Sequence, residues 1–462
     1  MSFMDRFRRS ETPPKGALAP GVEHYLFENG TEKSRLHLRL DEDGHGTLIV
    51  NASRILHLNP SAAWMAHLFL EKTTPADAVQ QIKKRYRVAS SQARQDYESI
   101  QSQLEDLIRP DGACPIHEMD LDTLAPFSTR PSAPYRMDLA LTYRCNNDCA
   151  HCYNLEHPGA AISSNGRKEL DTRDWKQVLD KLWDLGIPHI IFTGGEPTLR
   201  TDLPELIAYA ESKGQITGLN TNARRLADAD YVDTLVQAGL DHVQITLESN
   251  LEEIHDQMVG SKGAYKQTVR GIQNVLATRL FVMTNTTMLQ DNMDSIPGTL
   301  DLLASLGVPT MGLNALIHSG RGASVGNGLP EKDLPALLEM ATQKTQQNGQ
   351  RLIWYTPTQY CNFDPTLMNL GVKGCTAALY NMCIEPDGAV LPCQSYYLPL
   401  GNIISDSWDS IWNHELSVRL RERQGLPEKC DGCGLLSECG GGCPLQFETA
   451  EVPELLTVPV IQ

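Results

Sequence analysis

The segment Tyr143-Arg-Cys-Asn-Asn-Asp-Cys-Ala-His-Cys-Tyr153 carries the most informative pattern in the chain. Its cysteines, Cys145, Cys149 and Cys152, have the spacing C-x3-C-x2-C. Three thiolates at this spacing can hold three irons of a [4Fe–4S] cluster and leave the fourth iron open to another ligand. Zinc and disulfides are the alternatives, but structural zinc usually has paired C-x2-C units and a fourth ligand. His151 fits that role poorly because it lies directly beside Cys152.

The composition predicts a soluble protein of several domains. A length of 462 residues suggests about two to four domains. The net charge of −17, with no stripe of Lys and Arg, argues against binding to nucleic acid. The basic start, residues 1–9, is followed by polar residues rather than an apolar stretch, and no apolar run is long enough to span a membrane. We therefore expect a cytoplasmic protein without membrane partners, whose twelve cysteines are mainly metal ligands.

From residue 136 onward, runs typical of strands alternate with runs typical of helices. Strands are predicted at 137–143, 189–193, 216–220, 242–246, 281–287 and 310–316, with helices such as 174–185, 203–213, 265–277 and 293–306 between them. Six such units predict an α/β fold, a parallel sheet curved into a partial (β/α)6 barrel of the TIM type, whose sites form at the carboxyl ends of the strands. The three cysteines follow the first strand, and Gly194-Gly195-Glu196-Pro197 follows the second.

Together, the cysteine triad and the Gly194–Pro197 loop resemble the core of the radical S-adenosylmethionine (radical SAM) enzymes. The resemblance implies that SAM chelates the open iron and is cleaved by one electron to a 5′-deoxyadenosyl radical. It also implies an electron donor of the flavodoxin or ferredoxin type. The residues expected to contact the cofactor are Tyr153, Gly194, Gly195, Glu196, Pro197, Asn220, Asn222, Thr246 and Glu248. Each of the polar side chains at the later strand ends could instead cap a helix.

The amino-terminal part reads as a separate module over residues 20–110. Residues 36–40 and 47–51 predict a hairpin, Asn59-Pro60 and Thr74-Pro75 mark two helix starts, and a third helix begins near Ser90. This winged-helix-like order is similar to the leader-peptide recognition element of ribosomally made, modified peptides, as in the stand-alone protein of pyrroloquinoline quinone biosynthesis. The resemblance implies that the hairpin edge accepts a peptide as an added strand. A small structural or dimerising domain is the alternative.

The carboxy-terminal part is rich in cysteine. The spacing of seven cysteines, with Ile384 to Gly388 and Leu400 to Ile403 between them, resembles the SPASM extension of radical SAM enzymes. The resemblance implies that one auxiliary [4Fe–4S] cluster is held by Cys375, Cys383, Cys393 and Cys443, and three irons of a second by Cys430, Cys433 and Cys439.

The second auxiliary cluster lacks one ligand, because the family pattern ends with a further cysteine and this chain has none after Cys443. Either a carboxylate such as Glu448, Glu451 or Glu454 closes the site, or one iron stays open. Cys361 and Cys114 are left over, and we expect buried, inert thiols, although Cys361 could be recruited.

These patterns predict a radical SAM peptide maturase whose substrate is a ribosomally made precursor peptide. The expected organisation is a recognition domain (20–110), a linker (111–135), a radical SAM core (136–325), a bridging segment (326–374) and a SPASM domain (375–462). Tetrapyrrole or heme side-chain modification, sulfatase maturation, and an iron–sulfur electron carrier or scaffold are the alternatives. Sulfatase maturases place an aspartate base after the third tail cysteine, where this chain has Gln394. No catalytic acid or base is assigned from the sequence.

Overall fold

The computed structural model describes residues 20–29, 32–51, 54–108, 131–154 and 168–447. The chain divides into two compact units, one of residues 1–124 with 181–188 and one of residues 125–180 with 189–462. The predicted linker, 111–135, lies outside the described residues up to 130, and so do Cys114, Glu448, Glu451 and Glu454.

The amino-terminal unit contains a four-stranded antiparallel sheet in the order of the chain. Its strands are β1 (Gly21–Asn29), β2 (Glu32–Leu40), β3 (Gly46–Val50) and β4 (Arg54–Leu58). The predicted hairpin is β2–β3, in which Leu40 pairs with Gly46 across the turn. The sequence missed β1 and β4, and this corrects the expectation for the hairpin edge. Since β1 pairs with β2 and β4 pairs with β3, neither hairpin strand has an open edge.

Three helices follow the sheet: α1 (Pro60–Leu70), α2 (Pro75–Arg85) and α3 (Ser90–Ile108). Both predicted caps form, because the Asn59 side chain accepts from the backbone N–H of Ala62 and the Thr74 side chain from that of Asp77. The sequence of α3 has apolar residues at spacings of four and three, from Ala93 to Leu107, which predicts one apolar stripe. Its described members are buried in the core: Ala93, Tyr97, Ile100 and Leu104. The side chain of Leu107 lies outside the described residues.

All six predicted strands of the barrel form, in parallel and in sequence order. They are β5 (Arg136–Ala140), β6 (His189–Thr193), β7 (Ile216–Thr221), β8 (His242–Thr246), β9 (Phe281–Thr287) and β10 (Thr310–Asn314). Burial on both faces explains why these strands read as continuous apolar runs in the sequence. Their carboxyl ends lie along one edge, where the motifs follow them.

The helices that connect these strands include the four that were predicted. They are α4 (Thr172–Asp184), α5 (Leu203–Lys213), α6 (Ala229–Ala238), α7 (Glu252–Met258), α8 (Ala264–Leu276), α9 (Ile296–Leu306) and α10 (Leu334–Gln347). The three that the sequence did not predict are α6, α7 and α10, of which α10 follows β10, the last of the six strands. No helix in the described ranges is long and apolar enough to cross a membrane.

The sheet continues beyond the six predicted strands on both sides. Strand β11 (Arg351–Trp354), from the bridging segment, pairs in parallel with β10. On the other side, β12 (Asn381–Ile384) pairs in parallel with β5 and continues into an antiparallel hairpin with β13 (Ala389–Leu391) and β14 (Gly401–Asn402). Strand β12, which contains the tail cysteine Cys383, therefore lies directly beside β5, the strand that precedes the cysteine triad. Short helices complete the described tail: α11 (Trp408–Trp412), α12 (Glu415–Arg421) and α13 (Leu436–Cys439).

Candidate functional site

A cavity of about 190 Å³ lies at the carboxyl ends of strands β5 to β10. The three cysteines of the triad line it together with residues from every one of these strand ends. Of the residues predicted to contact the cofactor, seven line the cavity: Tyr153, Gly194, Gly195, Asn220, Asn222, Thr246 and Glu248. Two do not, namely Glu196 and Pro197. The cavity therefore lies where the sequence predicts the reaction, but Glu196 and Pro197 are not part of its wall.

The two glycines after β6 pack against the backbone that leads into the triad. The N–H of Gly195 donates to the Thr142 carbonyl at 2.7 Å. A Cβ atom at Gly194, whose φ is +131°, would overlap the same carbonyl oxygen. A Cβ atom at Gly195 would lie 2.5 Å from the Arg144 carbonyl oxygen. The sequence indicated that these glycines admit a ligand, whereas their tightest contacts are to the cysteine loop itself.

Further glycines enclose the same loop from other strand ends. A Cβ atom at Gly260, after α7, would lie 2.5 Å from the carbonyl oxygen of Asp148. A Cβ atom at Gly320, after β10, would lie 2.5 Å from that of Tyr153. The N–H of Gly322 donates to the carbonyl of Cys152 at 3.2 Å. Close backbone contacts from three directions thus hold the triad in place.

Glu196 links two strand ends rather than facing the cavity. Its side chain is fully buried, and its oxygens accept from the Thr198 hydroxyl at 2.6 Å, the Thr221 hydroxyl at 2.7 Å and the Asn222 backbone N–H at 2.9 Å. Burial raises the pKa of this carboxyl, and these hydrogen bonds oppose the rise. The structure therefore gives Glu196 a positioning role: it fixes the end of β7 beside the loop that follows β6.

Asn222 and Arg224 connect the end of β7 to the cysteine loop. The Asn222 amide donates to the Asn146 side chain at 2.7 Å. The Arg224 guanidinium donates to the Asn146 carbonyl and, at 2.8 Å, to the side chains of Asn147 and Ser261. The sequence analysis named Asn222 but missed Arg224, whose only signal is its position just after a predicted strand end.

Glu248 reaches the cysteine loop through the histidine that precedes Cys152. One carboxylate oxygen is 3.0 Å from Nε2 of His151, and the other accepts from the backbone N–H of Thr287 at 2.9 Å. Both side chains are almost fully buried, at 1% exposure for Glu248 and 9% for His151. One glutamate side chain, at the end of β8, therefore contacts both the end of β9 and the cysteine loop.

Arg321 places a positive charge near Cys149 and Cys152. Its guanidinium donates to Asp148 at 2.6 Å and lines the cavity. Burial raises the pKa of the Cys152 thiol, and Arg321 lowers it. Burial also raises the pKa of Cys145 to about 11. The buried thiols thus favour the neutral form unless a metal supplies the balancing charge.

Tyr153 and Asn154 connect the cavity to the tail. The Tyr153 hydroxyl donates to the Gln394 side chain at 3.4 Å, and burial raises the pKa of this tyrosine. The Asn154 amide donates to the Gly194 carbonyl at 2.9 Å and accepts from the Tyr397 hydroxyl at 3.1 Å. Gln394, directly after a tail cysteine, lines the cavity itself.

Three of the four cysteines predicted for the first tail site influence one another electrostatically. Cys383 is fully buried in β12, and burial raises the pKa of its thiol well above the usual range, with Cys393 adding to the rise. Burial raises the pKa of Cys393 to about 12, with Cys375 adding to the rise. The inclusion of Cys443 in this group stays a prediction.

We call Cys430, Cys433 and Cys439 the second tail group. Cys361, which the sequence left unassigned, interacts electrostatically with this group. Burial raises the pKa of Cys430, and Cys439, Cys361 and Cys433 each add to the rise, while Lys429 lowers it. Cys361, expected to be a buried thiol, is exposed. The structure therefore corrects the expectation that this thiol is buried.

Three parts of the chain match known families. Residues 139–303 match the Radical SAM superfamily, residues 375–434 an Iron-sulfur cluster-binding domain (SPASM), and residues 38–107 Coenzyme PQQ synthesis protein D (PqqD). The Fe-coproporphyrin III synthase of Methanosarcina barkeri is 30% identical over 341 residues, which are 67% of this chain and 82% of that protein. This chain belongs to the radical SAM superfamily.

A second relative of this radical SAM enzyme is named for a peptide. The PqqA peptide cyclase of Xanthomonas euvesicatoria is 30% identical over 322 residues, which are 68% of this chain and 83% of that protein. Among solved structures, SuiB of Streptococcus suis bound to the precursor peptide SuiA has a TM-score of 0.66 at 16% identity, covering 95% of this chain and all of that chain. An anSMEcpe structure with bound AdoMet has a TM-score of 0.54 at 17% identity, covering 68% of this chain and 90% of that chain. These likenesses show the same fold.

The residues of this radical SAM enzyme fit the [4Fe–4S] cluster and SAM that the family uses. The three thiols of the triad line one cavity, and polar side chains at the strand ends line the same cavity. Among the described residues, no three His, Cys, Asp or Glu side chains are placed to hold a single metal ion.

Proposed function

We propose that this enzyme cleaves SAM and uses the resulting radical to modify a ribosomally made precursor peptide. The single observation that carries the proposal is the PqqD-like segment, residues 38–107, in the same chain as the radical SAM core and the SPASM segment. Two similar proteins support it. One is the PqqA peptide cyclase relative, and the other is SuiB, which was crystallised with its precursor peptide and aligns with 95% of this chain. An electron carrier or scaffold has no need for SAM at an open iron.

We assign one SAM-binding cluster and two auxiliary clusters. The SAM-binding cluster has Cys145, Cys149 and Cys152 as ligands, the first auxiliary cluster Cys375, Cys383, Cys393 and Cys443, and the second includes Cys430, Cys433 and Cys439. When bound, the first cluster and SAM supply the 5′-deoxyadenosyl radical, with an electron from a flavodoxin- or ferredoxin-type donor.

The side chains around the cavity hold the cysteine loop and the cofactor in position. Asn220, Asn222, Thr246 and Glu248 present polar groups at the ends of two neighbouring strands, β7 and β8, which suits a ligand with amine, carboxylate and ribose groups. Glu248 also holds His151, and through it the segment between two cluster cysteines. Gln394 occupies the cavity position where sulfatase maturases have an aspartate. An amide cannot accept a proton there as a base, so sulfatase maturation is disfavoured.

The precursor peptide would add to an edge of the amino-terminal sheet. In the described part of this unit the edge strands are β1 and β4. We assign the peptide to β4, because Arg54–Leu58 lies inside the PqqD-like segment whereas β1 precedes it. An added strand gains main-chain hydrogen bonds from the open edge, and side-chain pockets then select the sequence.

The test uses a short precursor peptide whose gene adjoins that of this enzyme. The peptide should slow amide hydrogen exchange in 54–58 but not in 21–29, and the reduced enzyme with SAM should change its mass and release 5′-deoxyadenosine. A leader-free version of the peptide serves as the control and should be modified poorly at low concentration. An unaltered peptide mass together with unchanged exchange across 20–108 would contradict the proposal.

Modification of an iron tetrapyrrole is the second candidate, because the Fe-coproporphyrin III synthase relative is as similar in sequence as the peptide cyclase. The same assay with an iron tetrapyrrole substrate in place of the peptide distinguishes the two. Turnover of the tetrapyrrole without the peptide would favour this candidate, and the amino-terminal unit would then need another role.

A further inference from the structure

The second tail group contacts a loop that no family pattern assigns to it. This loop, residues 358–362, belongs to the bridging segment and precedes the first tail cysteine. The backbone N–H of Tyr360 donates to Sγ of Cys439 at 3.3 Å, and that thiol lies 3.5 Å from the Thr358 carbonyl oxygen. Backbone N–H groups directed at a ligand sulfur are a recurrent feature of iron–sulfur sites and tune their potential.

Two more hydrogen bonds fix the same loop to the cysteine-rich turn. The Gln359 amide donates to the Gly441 carbonyl at 3.1 Å, and the Lys429 ammonium donates to the Gln359 side-chain oxygen at 2.7 Å. Lys429 and Gly441 lie on either side of the Cys430, Cys433 and Cys439 group in sequence. The loop is therefore held against both ends of that group.

Cys361 lies within this loop, one residue after the N–H that contacts Cys439. Cys361 and Cys433 are exposed, Cys430 is partly buried, and Cys439 is 8% exposed. A buried ligand on one side and solvent-facing thiols on the other suit a cluster held at the surface of the tail. Thiolate is also the ligand type that iron–sulfur clusters prefer over carboxylate.

We propose that Cys361 is the fourth protein ligand of the second auxiliary cluster, replacing the missing cysteine at the end of the tail. The inference rests on the proposed function, because it requires that the tail bind this cluster. A cluster with four thiolates has no open iron, so it would pass electrons rather than bind substrate. The closing ligand then comes from the bridging segment and not from a carboxylate after residue 447.

Alkylation of the wild-type protein tests the ligand without a substitution. Iodoacetamide is added anaerobically to the reconstituted full-length protein and to protein whose iron has been removed with a chelator, and peptides are identified by mass spectrometry. Cys361 and Cys433 should be protected in the first sample and alkylated in the second. Full alkylation of Cys361 beside a protected Cys433 would overturn the inference.

A substitution measures what the ligand contributes to the cluster. In a C145A/C149A/C152A background two clusters, or about eight irons, should remain per chain. There, adding C361A should cost one iron on mild oxidation and give the paramagnetic signal of a [3Fe–4S] cluster, whereas C361S should keep the iron at a lower potential. The matched control is C114A, the other cysteine outside the three groups.

The outcomes separate this inference from the proposed function. Identical iron content and spectra in the C361A and C114A proteins would overturn the role of Cys361 and leave the peptide maturase proposal intact. A tail that takes up no iron even with Cys361 present would overturn both the inference and the cluster assignment.

Discussion

The SAM-site cysteines and the second tail group differ in how the chain holds them. The triad follows a buried strand, and backbone from the ends of β6, α7 and β10 packs directly against its loop. In the tail group, Cys430 and Cys433 lie in short turns, Cys433 is exposed, and Gly434 has open space around it. The fold thus packs around the triad on several sides, whereas part of the second tail group lies on exposed turns.

This difference has a consequence for how each site depends on iron. A loop packed on three sides loses little conformational entropy when it binds a cluster, because that entropy has already been lost on folding. Ligands on exposed turns become ordered when the metal binds, so binding free energy and local folding are coupled there. Iron removal should therefore disturb the tail turn more than the triad loop.

The largest expected effect comes from removing either set of ligands. The C145A/C149A/C152A variant should lose about four irons and all formation of 5′-deoxyadenosine, because SAM has no open iron to bind. The C430A/C433A variant should lose a similar amount of iron but still cleave SAM when reduced chemically. Iron analysis and chromatography of the reaction products measure both. SAM cleavage that persists in the triad variant would mean that the reaction occurs elsewhere.

A smaller effect is expected at Glu248, which contacts the triad loop through His151. Replacing Glu248 by alanine leaves His151 and the Thr287 N–H without their buried partner. Loss of such an outer partner typically costs about 10–100-fold in metal affinity or activity. E248Q keeps the hydrogen-bonding shape without the charge and should lose less, and E253Q, on an exposed glutamate of α7, should lose nothing.

The measurement is iron retention by the SAM-site cluster against a chelator, alongside the rate of SAM cleavage. Equal retention in E248A, E248Q and E253Q would show that the contact between Glu248 and His151 does not support the loop. A loss in E248Q as large as in E248A would show that charge, and not shape, is what the loop requires.

Much of the second unit was predictable because its signals are local. The six parallel strands have continuous apolar runs, and the triad is complete within twelve residues of the end of β5. The helix starts at Asn59 and Thr74 were predictable for the same reason, since a cap acts only on its own first turn.

The features that were missed depend on contacts between distant parts of the chain. Strands β12 and β13 have only four and three residues, too few for a periodic pattern. Glu196 was expected at the cofactor, but its bonds to Thr198, Thr221 and Asn222 exist only once β7 lies beside β6. Cys361 could be named only as a spare thiol, because its loop reaches Cys439 through tertiary contacts alone.

The smallest expected effect concerns a single methyl group at each of the two sites. A Cβ atom at Gly195 would lie 2.5 Å from the carbonyl oxygen of Arg144, and backbone atoms cannot move aside as a flexible side chain can. G195A should therefore cost about 1–3 kcal/mol of stability, the usual range for overpacking. G434A, beside Cys433, adds the same methyl group where no atom lies within 4 Å and should be neutral. Thermal unfolding of the iron-free proteins measures both, so that differences in cluster content do not contribute. Equal melting temperatures would show that the triad loop can yield, and that the fold does not position the first site more firmly than the second.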